Sequence, residues 1–207
     1  MKRFVCMILV LFLCSIAVDR SRAQPAQSPG QQLQETVERV TAILTRLTDD
    51  SRNDARKQMR LLCDAVHERF SLAETARLSL ADHWDKRTDT EKTAFIALFG
   101  RFLESVYLPW ADRYKGEQVV FVREKIANNR ALVHVRVHHD RLRIPVTVRM
   151  HHTGGGQWMV YDVTALGVSL VGILRAQFNH IIKRHSYEQV IRIMEEKTAG
   201  HIGCINP

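Results

Sequence analysis

The chain has 207 residues, is 45% apolar and carries a formal net charge of +8. This length and apolar content fit one domain with a sizeable core. Its basic residues form no run with interleaved aromatic residues and match no nucleic-acid motif, which argues against a nucleic-acid-binding protein. A mildly basic protein of this kind is drawn instead toward anionic membrane surfaces.

The first 23 residues have the pattern of a secretory signal. A basic start precedes an apolar run from Phe4 to Val18, and small residues stand at the positions that a signal peptidase reads. We therefore expect cleavage near Ala23 and a soluble mature protein outside the cytoplasm. A lipoprotein cysteine at Cys14 is the less favoured alternative, because the bulky Leu13 stands where a small residue is expected.

Two cysteines, Cys63 and Cys204, remain after removal of the signal. An oxidising compartment permits a disulfide between them, but their spacing says nothing about their distance in the fold. We expect Cys63 to be a small buried apolar residue and Cys204 to be a thiol in the C-terminal tail.

Helical periodicity dominates the first half of the chain. A stretch rich in Pro, Gln, Ser and Gly over residues 24–32 predicts a flexible leader, followed by a single domain over 33–198 and a tail over 199–207. Thr88 and Glu91 predict a capping box that opens the most apolar helix, which Pro109 ends or kinks. The earlier helices are predicted at about Leu33–Leu47, Ala55–Arg69 and Phe70–Trp84.

Alternating apolar residues then predict four strands joined by short turns. On the second strand the odd positions from Ala131 to Val137 face inward, and on the third the even positions from Leu142 to Met150 do so. Ser169 is predicted to cap a helix that runs to Arg184, and one more helix follows. The fold class is therefore α+β: a four-stranded antiparallel meander with the helices packed on one face of the sheet.

Ten histidines raise the question of a metal site, but their spacing in the sequence argues against one. His138 and His139 lie at one turn and His151 and His152 at the next, with a strand of roughly 30 Å between them. No tetrahedral cluster forms from pairs at opposite ends of a sheet. We expect solvated histidines on the sheet, and no metal.

The sequence offers no convergent catalytic set. Ser169 stands at a strand-to-helix junction but lacks the second glycine of a nucleophile elbow, so a capping role is favoured. Gly154–Gly156 joins two strands and is predicted to be a hairpin turn. Asp162 and Arg175 are expected to form an ion pair that fixes the helix, in preference to contacting a ligand headgroup. With these polar candidates set aside, the apolar residues form either a filled core or an apolar ligand cavity.

Three segments close together in the chain carry a family resemblance. They read W-x-V-Y-D-V from Trp158, G-V-S-L-V from Gly167 and R-x-Q-F from Arg175. Tyr114-Lys-Gly-Glu117 and the aromatic spacing of the preceding helix add to the pattern. Over about Val40 to Lys197 the chain resembles the MlaC (toluene-tolerance auxiliary) family of periplasmic phospholipid-binding proteins.

That resemblance implies a periplasmic lipid carrier that is not an enzyme and needs no cofactor. Its implied partners are a phospholipid ligand, an inner-membrane ABC transporter with a substrate-binding ring protein, and an outer-membrane lipoprotein complex. The function implied is phospholipid shuttling that maintains outer-membrane lipid asymmetry. A hopanoid carrier, a periplasmic adaptor without ligand and a small enzyme remain alternatives.

Periodicity predicts which residues would line the pocket of such a carrier. One wall comes from the aromatic-rich helix, which is expected to face the inward valines of the sheet, and the other from the helix after Ser169. The predicted lipid-binding residues are Phe95, Phe99, Phe102, Val106, Val133, Val135, Ile144, Val146, Val148, Tyr161, Val171, Leu174 and Phe178.

Overall fold

The computed structural model describes residues 27–49 and 55–200, so the predicted signal and most of the predicted tail lie outside the described residues. Within these residues, six α-helices accompany one antiparallel sheet, which confirms the α+β class. The helices are α1 Pro29–Asp49, α2 Ala55–Arg69, α3 Leu72–Leu80, α4 Asp89–Tyr107, α5 Leu170–Arg184 and α6 Tyr187–Thr198. Short 3-10 helices cover Ala81–His83 and Leu108–Arg113.

The sheet has five strands rather than the predicted four, in the order β1 to β5. They are β1 Gln118–Ala127, β2 Arg130–His139, β3 Leu142–His152, β4 Trp158–Ala165 and β5 Val168–Ser169. The fifth strand has two residues and forms because Leu166 and Gly167, both with positive φ, make a tight turn back along β4. So short a strand leaves no alternation from which it could be predicted.

The first helix begins at Pro29, four residues before its predicted start, so the prediction that residues 29–32 belong to a flexible leader is wrong. Proline at the first helical position has a suitable φ and needs no hydrogen-bond partner for its nitrogen. The Gln31 amide donates to the Ser28 hydroxyl at 3.2 Å, and the Gly30 amide donates to the Glu124 carboxylate at 2.7 Å. These contacts fix the start of α1 on strand β1.

Three apolar clusters form the interior. The helical cluster joins α3, α4, α5 and α6 around Phe95, Phe99 and Phe178. The sheet cluster lies between α1 and the inner face of the sheet, around Val133, Met150 and Trp158. The third, the α1–α2 cluster, is small and contains Ile43, Leu62 and Ala65.

The expected packing of the aromatic-rich helix against the sheet valines is wrong. Phe99 stacks on Phe95, with ring centroids 5.7 Å apart, and meets the edge of Phe178 at 6.3 Å. Phe102 packs against the same helical cluster, while Val106 is exposed. The sheet valines are covered instead by α1, whose Leu33 is buried among them.

The predicted alternation of β2 and β3 is confirmed except at one position. Ala131, Val133 and Val135 are buried on β2, and Val148 and Met150 are buried on β3. Leu142 belongs to the same face by register but is exposed, and it pairs with His139 beside the turn. The buried part of the inner face therefore does not reach the first residue of β3.

Cys63 is buried, as expected, but it is disulfide-bonded, so the prediction of a free apolar thiol is wrong. The prediction for Cys204 concerns a residue that lies outside the described residues.

Candidate functional site

A cavity of about 1080 Å³ lies where the three apolar clusters meet. One side is formed by α1, α2, α4 and the 3-10 helix after α4, and the other by β4, β5 and the start of α5. Its apolar lining residues are Leu44, Leu62, Val66, Phe70, Leu72, Leu103, Leu108, Ala111, Val163, Ala165, Val168, Leu170 and Ile173. A large and mainly apolar cavity of this kind is suited to an apolar ligand.

Helical spacing explains the helix side of the cavity. Gly100, Leu103, Glu104 and Tyr107 lie at intervals of three and four residues on α4 and form one stripe toward the cavity. Gly100 contributes no side chain, so space remains beside it. Phe95 and Phe99 of the same helix lie in the helical cluster, and Leu103 belongs to that cluster and also lines the cavity. Helix α4 therefore forms the boundary between a filled core and an open volume.

Two polar pairs interrupt the apolar lining. His67 Nε2 lies 3.1 Å from Glu104 Oε1, and the glutamate is buried. His139 Nδ1 lies 2.8 Å from Glu117 Oε1, and the Lys115 amide donates to the other oxygen of Glu117 at 2.9 Å. Apolar cavities in proteins characteristically carry a few such placed polar groups, which orient a ligand.

The Glu117 carboxylate is held in its charged form. Burial raises the pKa of Glu117, but hydrogen bonds from the backbone amides of Lys115 and Glu117 and from His139 outweigh burial. The pKa of Glu117 therefore lies below its ordinary value. A charged carboxylate at this place keeps the loop before β1 attached to the end of β2.

The cavity opens to solvent at one end of the sheet. Val168 and Ile173 on one side and Tyr107 on the other line the cavity and are exposed. Lys115 and Ala165 are also exposed lining residues, and both belong to the segments at this end of the sheet. We call these five residues the mouth of the cavity. Val66 of α2 lines the cavity and is exposed as well.

Asp162 is paired with Arg149, not with Arg175, so the predicted ion pair is wrong. Arg149 Nη1 donates to Asp162 Oδ2 at 3.0 Å, whereas Arg175 Nε donates to the Leu78 carbonyl oxygen at 3.0 Å. An irregularity in the β3–β4 register pairs Arg149 with Asp162 and Met150 with Val160, which leaves Tyr161 without an opposite residue. This bulge turns Asp162 toward the side of the sheet that carries Arg149.

The same carboxylate fixes the start of α5. It accepts hydrogen bonds from the Ser169 hydroxyl at 2.8 Å and from the Val171 amide at 3.1 Å. The Ser169 hydroxyl oxygen accepts from the Gly172 amide at 2.9 Å, which confirms its predicted capping role. Val168, Leu170 and Ile173 line the cavity beside these contacts, so this network holds one wall in place.

None of the thirteen predicted lipid-binding residues lines this cavity. Phe95, Phe99, Leu174 and Phe178 belong to the helical cluster, and Phe102 packs against it. Val133, Val135 and Val148 belong to the sheet cluster, and Val146 packs against it. Val171 is buried, Ile144 is half-buried, Val106 is exposed, and Tyr161 lies 4.7 Å under the Arg130 guanidinium. Lipid contact by these thirteen residues stays a prediction.

The sequence reasoning missed the contribution of α2 and of the segment after α4. Leu62, Cys63 and Val66 of α2 line the cavity, and none of them is among the predicted lipid-binding residues. Tyr114 and Glu117 stood in a recognised motif without an assigned role, and both line the cavity. The Tyr114–Glu117 motif was therefore the signal in the sequence that could have identified this side of the cavity.

Within the described ranges, no three His, Cys, Asp or Glu side chains are grouped so that they could hold a metal ion. The register places His138 opposite Arg143 and His151 opposite Arg130, so the two histidine pairs lie at opposite ends of β3, as predicted. In the same part of the chain, no helix has the length and apolar character to cross a membrane.

Comparisons with known proteins agree with this architecture. The model of a protein family described as MlaC protein matches residues 34–196. A solved structure of a phospholipid-binding protein from Ralstonia solanacearum, in complex with a phospholipid, has the same fold. It matches with a TM-score of 0.71 and 17% sequence identity over 84% of this chain and 98% of that chain. Among curated proteins, no sequence matches.

Proposed function

Because the chain belongs to the MlaC family, we propose that it is a carrier that holds phospholipid acyl chains in its cavity. The observation that carries this proposal is a volume of about 1080 Å³ with a mainly apolar lining. The similar protein from Ralstonia solanacearum was solved with a phospholipid bound, which supports the same ligand class here. With the acyl chains inside, the headgroup lies at the mouth, beside Lys115.

The transport role follows from the physics of moving lipid through water. Each exposed methylene costs about 0.8 kcal/mol, so acyl chains cross an aqueous compartment only when they are enclosed. The carrier shuttles phospholipid between the outer membrane and an inner-membrane ABC transporter and so maintains lipid asymmetry. Its partners are the transporter's substrate-binding ring protein and an outer-membrane lipoprotein complex.

The proposed location is the periplasm, reached by a signal cleaved near Ala23. Disulfides persist in oxidising compartments outside the cytoplasm, and the disulfide at Cys63 supports such a location. We assign direct contact with the ligand to the lining residues, and lipid contact by the thirteen residues predicted from periodicity stays a prediction.

The experiment that tests the carrier proposal compares bound lipid in two tryptophan variants. Ala165 lines the cavity at its mouth, whereas Ala97 is exposed on α4 and does not line it. We expect purified wild type and Ala97→Trp to release phospholipid on organic extraction, and Ala165→Trp to release much less. Mass spectrometry of the extracts identifies the ligand.

The same extraction separates the alternatives. A polycyclic lipid in place of phospholipid indicates a hopanoid carrier. Folded wild type that releases no membrane lipid indicates an adaptor without ligand and contradicts the carrier proposal. Equal phospholipid content in both tryptophan variants places the ligand somewhere other than this cavity.

A further inference from the structure

The most exposed apolar side chains lie together at one end of the sheet. Among the described residues, Leu166 is 69% exposed, Leu142 60% and Val168 54%, and no other large apolar side chain exceeds these values. Leu142 begins β3, Leu166 stands in the β4–β5 turn, and Val168 begins β5. We call the region formed by residues 114–118, 139–143 and 165–168 the turn end of the sheet.

Leu166 is unusual for its position. Its φ of 51° lies in the left-handed region, where glycine, asparagine and aspartate are favoured over other residues. The Leu166 amide donates to the Pro145 carbonyl oxygen at 3.3 Å, a contact that any of those residues would also make. Because the leucine side chain is exposed, neither the backbone nor the packing of this chain explains it. A contact outside the chain would explain it.

The turn end also carries exposed cations. Lys115, Arg141 and Arg143 are exposed at the turn end. Among the described residues, no carboxylate forms an ion pair with any of the three. Glu117 and Asp140, the acidic residues of this region, both lie next to His139. The turn end therefore carries three cations against two carboxylates, a net charge of +1 with His139 neutral, beside exposed leucines.

We propose that the turn end docks on the surface of an anionic phospholipid bilayer. In the docked state Lys115, Arg141 and Arg143 contact headgroup phosphates, and Leu142, Leu166 and Val168 enter the boundary between headgroups and acyl chains. Basic residues near an anionic membrane and apolar residues that insert into its boundary are the two forces that hold proteins on membranes.

A bilayer fits this surface better than a protein does. A stable protein interface buries on the order of 800 Å² on each partner around a packed apolar centre. Here the apolar residues are three separate side chains at the ends of β3 and β5 and in a turn, interspersed with cations, which suits insertion between headgroups.

The mouth of the cavity lies at the turn end, so docking would bring it to the bilayer surface. This step rests on the proposed carrier function. Val168 both belongs to the turn end and lines the cavity, and Lys115 and His139 do the same. An acyl chain that leaves a bilayer at the turn end would therefore enter the cavity without passing through water.

The apolar contribution is tested with vesicles of phosphatidylglycerol and phosphatidylcholine in equal parts, and with vesicles of phosphatidylcholine alone. Leu142→Thr and Leu166→Asn remove the exposed side chains, and asparagine suits the positive φ at 166. The matched control is Val122→Thr with Ile126→Thr, two side chains that are about half exposed on β1, away from the turn end. We expect vesicle flotation to show binding by wild type and control, weakened by about tenfold or more for each leucine replaced.

The charge contribution has its own matched pair. Arg141→Gln with Arg143→Gln should weaken binding to the anionic vesicles by roughly 30-fold, about fivefold for each arginine. Arg123→Gln with Lys125→Gln removes the same charge from exposed residues of β1 and should have a much smaller effect. Absence of wild-type binding to anionic vesicles, or equal weakening in the control pairs, would overturn the docking proposal.

Bound phospholipid is measured in the same preparations, so failure of the docking proposal can be distinguished from failure of the carrier proposal. Turn-end variants that still hold phospholipid but do not float with vesicles support both proposals. Wild type that floats with vesicles but releases no lipid contradicts the carrier function alone. If the variants instead dissociate a dimer in sedimentation without changing vesicle binding, the occupant is a second copy and the bilayer proposal is wrong.

Discussion

Replacing Asp162 with alanine should loosen the wall of the cavity formed by β5 and α5. The carboxylate accepts hydrogen bonds from the Val171 amide, the Ser169 hydroxyl and Arg149. Hydrogen bonds to a charged group contribute about 1.5–3 kcal/mol each. The Arg149 side chain is 38% exposed and can turn to water, so the main loss comes from the Val171 amide and, in part, from Ser169.

We therefore expect Asp162→Ala to lower the free energy of unfolding by about 3 kcal/mol, and the melting temperature by roughly 6–12 °C in a domain of this size. Urea unfolding at pH 7 measures the first quantity, and lipid extraction from the folded protein shows whether the wall still encloses its ligand. Because the wall loosens, less phospholipid should remain bound.

Asp64→Ala is the matched control, since Asp64 is exposed on α2 and forms no ion pair within the described residues. It should leave both stability and lipid content unchanged. A loss of less than about 1 kcal/mol in Asp162→Ala would refute the argument, because a buried carboxylate with three donors cannot be that dispensable.

Two further predictions follow from the sheet and from α3. Val146→Asp places an unpaired carboxylate on the inner face, next to the sheet cluster, and should reduce both stability and bound lipid. Thr147→Asp, on the outer face of the same strand, should leave stability and bound lipid unchanged. Equal losses in the two variants would show that the faces are assigned wrongly. Hydrogen bonds from Arg77, which together with those from Arg130 outweigh the effect of burial, lower the pKa of Glu74 to about 2 from its ordinary 4.5. Because the pKa is lowered in the folded state, Glu74 stabilises the fold fully above pH 4.5, and this contribution is lost as the pH falls toward 2. Urea unfolding across that window should show a smaller loss of stability in Glu74→Gln than in wild type, and parallel losses would contradict the assignment.

Local chemistry explains which parts of the fold could be predicted. The capping box of Thr88 and Glu91 and the cap at Ser169 depend on residues three positions apart, and both form as predicted. Strand faces follow from alternation within one segment, and on β2 and β3 the expected burial failed at Leu142, beside the turn that joins the two strands.

The cavity could not be predicted in the same way, because it is a volume that the packed elements leave unfilled. Helix α4 has apolar residues on more than one side, so periodicity alone does not say which side meets other helices. Phe95 and Phe99 were assigned to a lipid pocket, yet they fill a core, whereas Glu104 and Tyr107 line the open volume. The disulfide at Cys63 was missed for a related reason, since spacing in the sequence gives no distance in space.

The meeting of three separately packed clusters has a consequence for how the cavity accommodates its contents. Packed interiors compress very little, so a void inside a single core has a nearly fixed size. Here the lining residue Leu103 belongs to the helical cluster, Leu108 packs against the α1–α2 cluster and Val163 packs against the sheet cluster. Phe70 packs against both the helical and the sheet cluster and lies where the two meet. Small sliding movements between these bodies would widen or narrow the space while each keeps its internal contacts. Acyl chains of different length and saturation could then be held by one and the same protein, with no part of it unfolding.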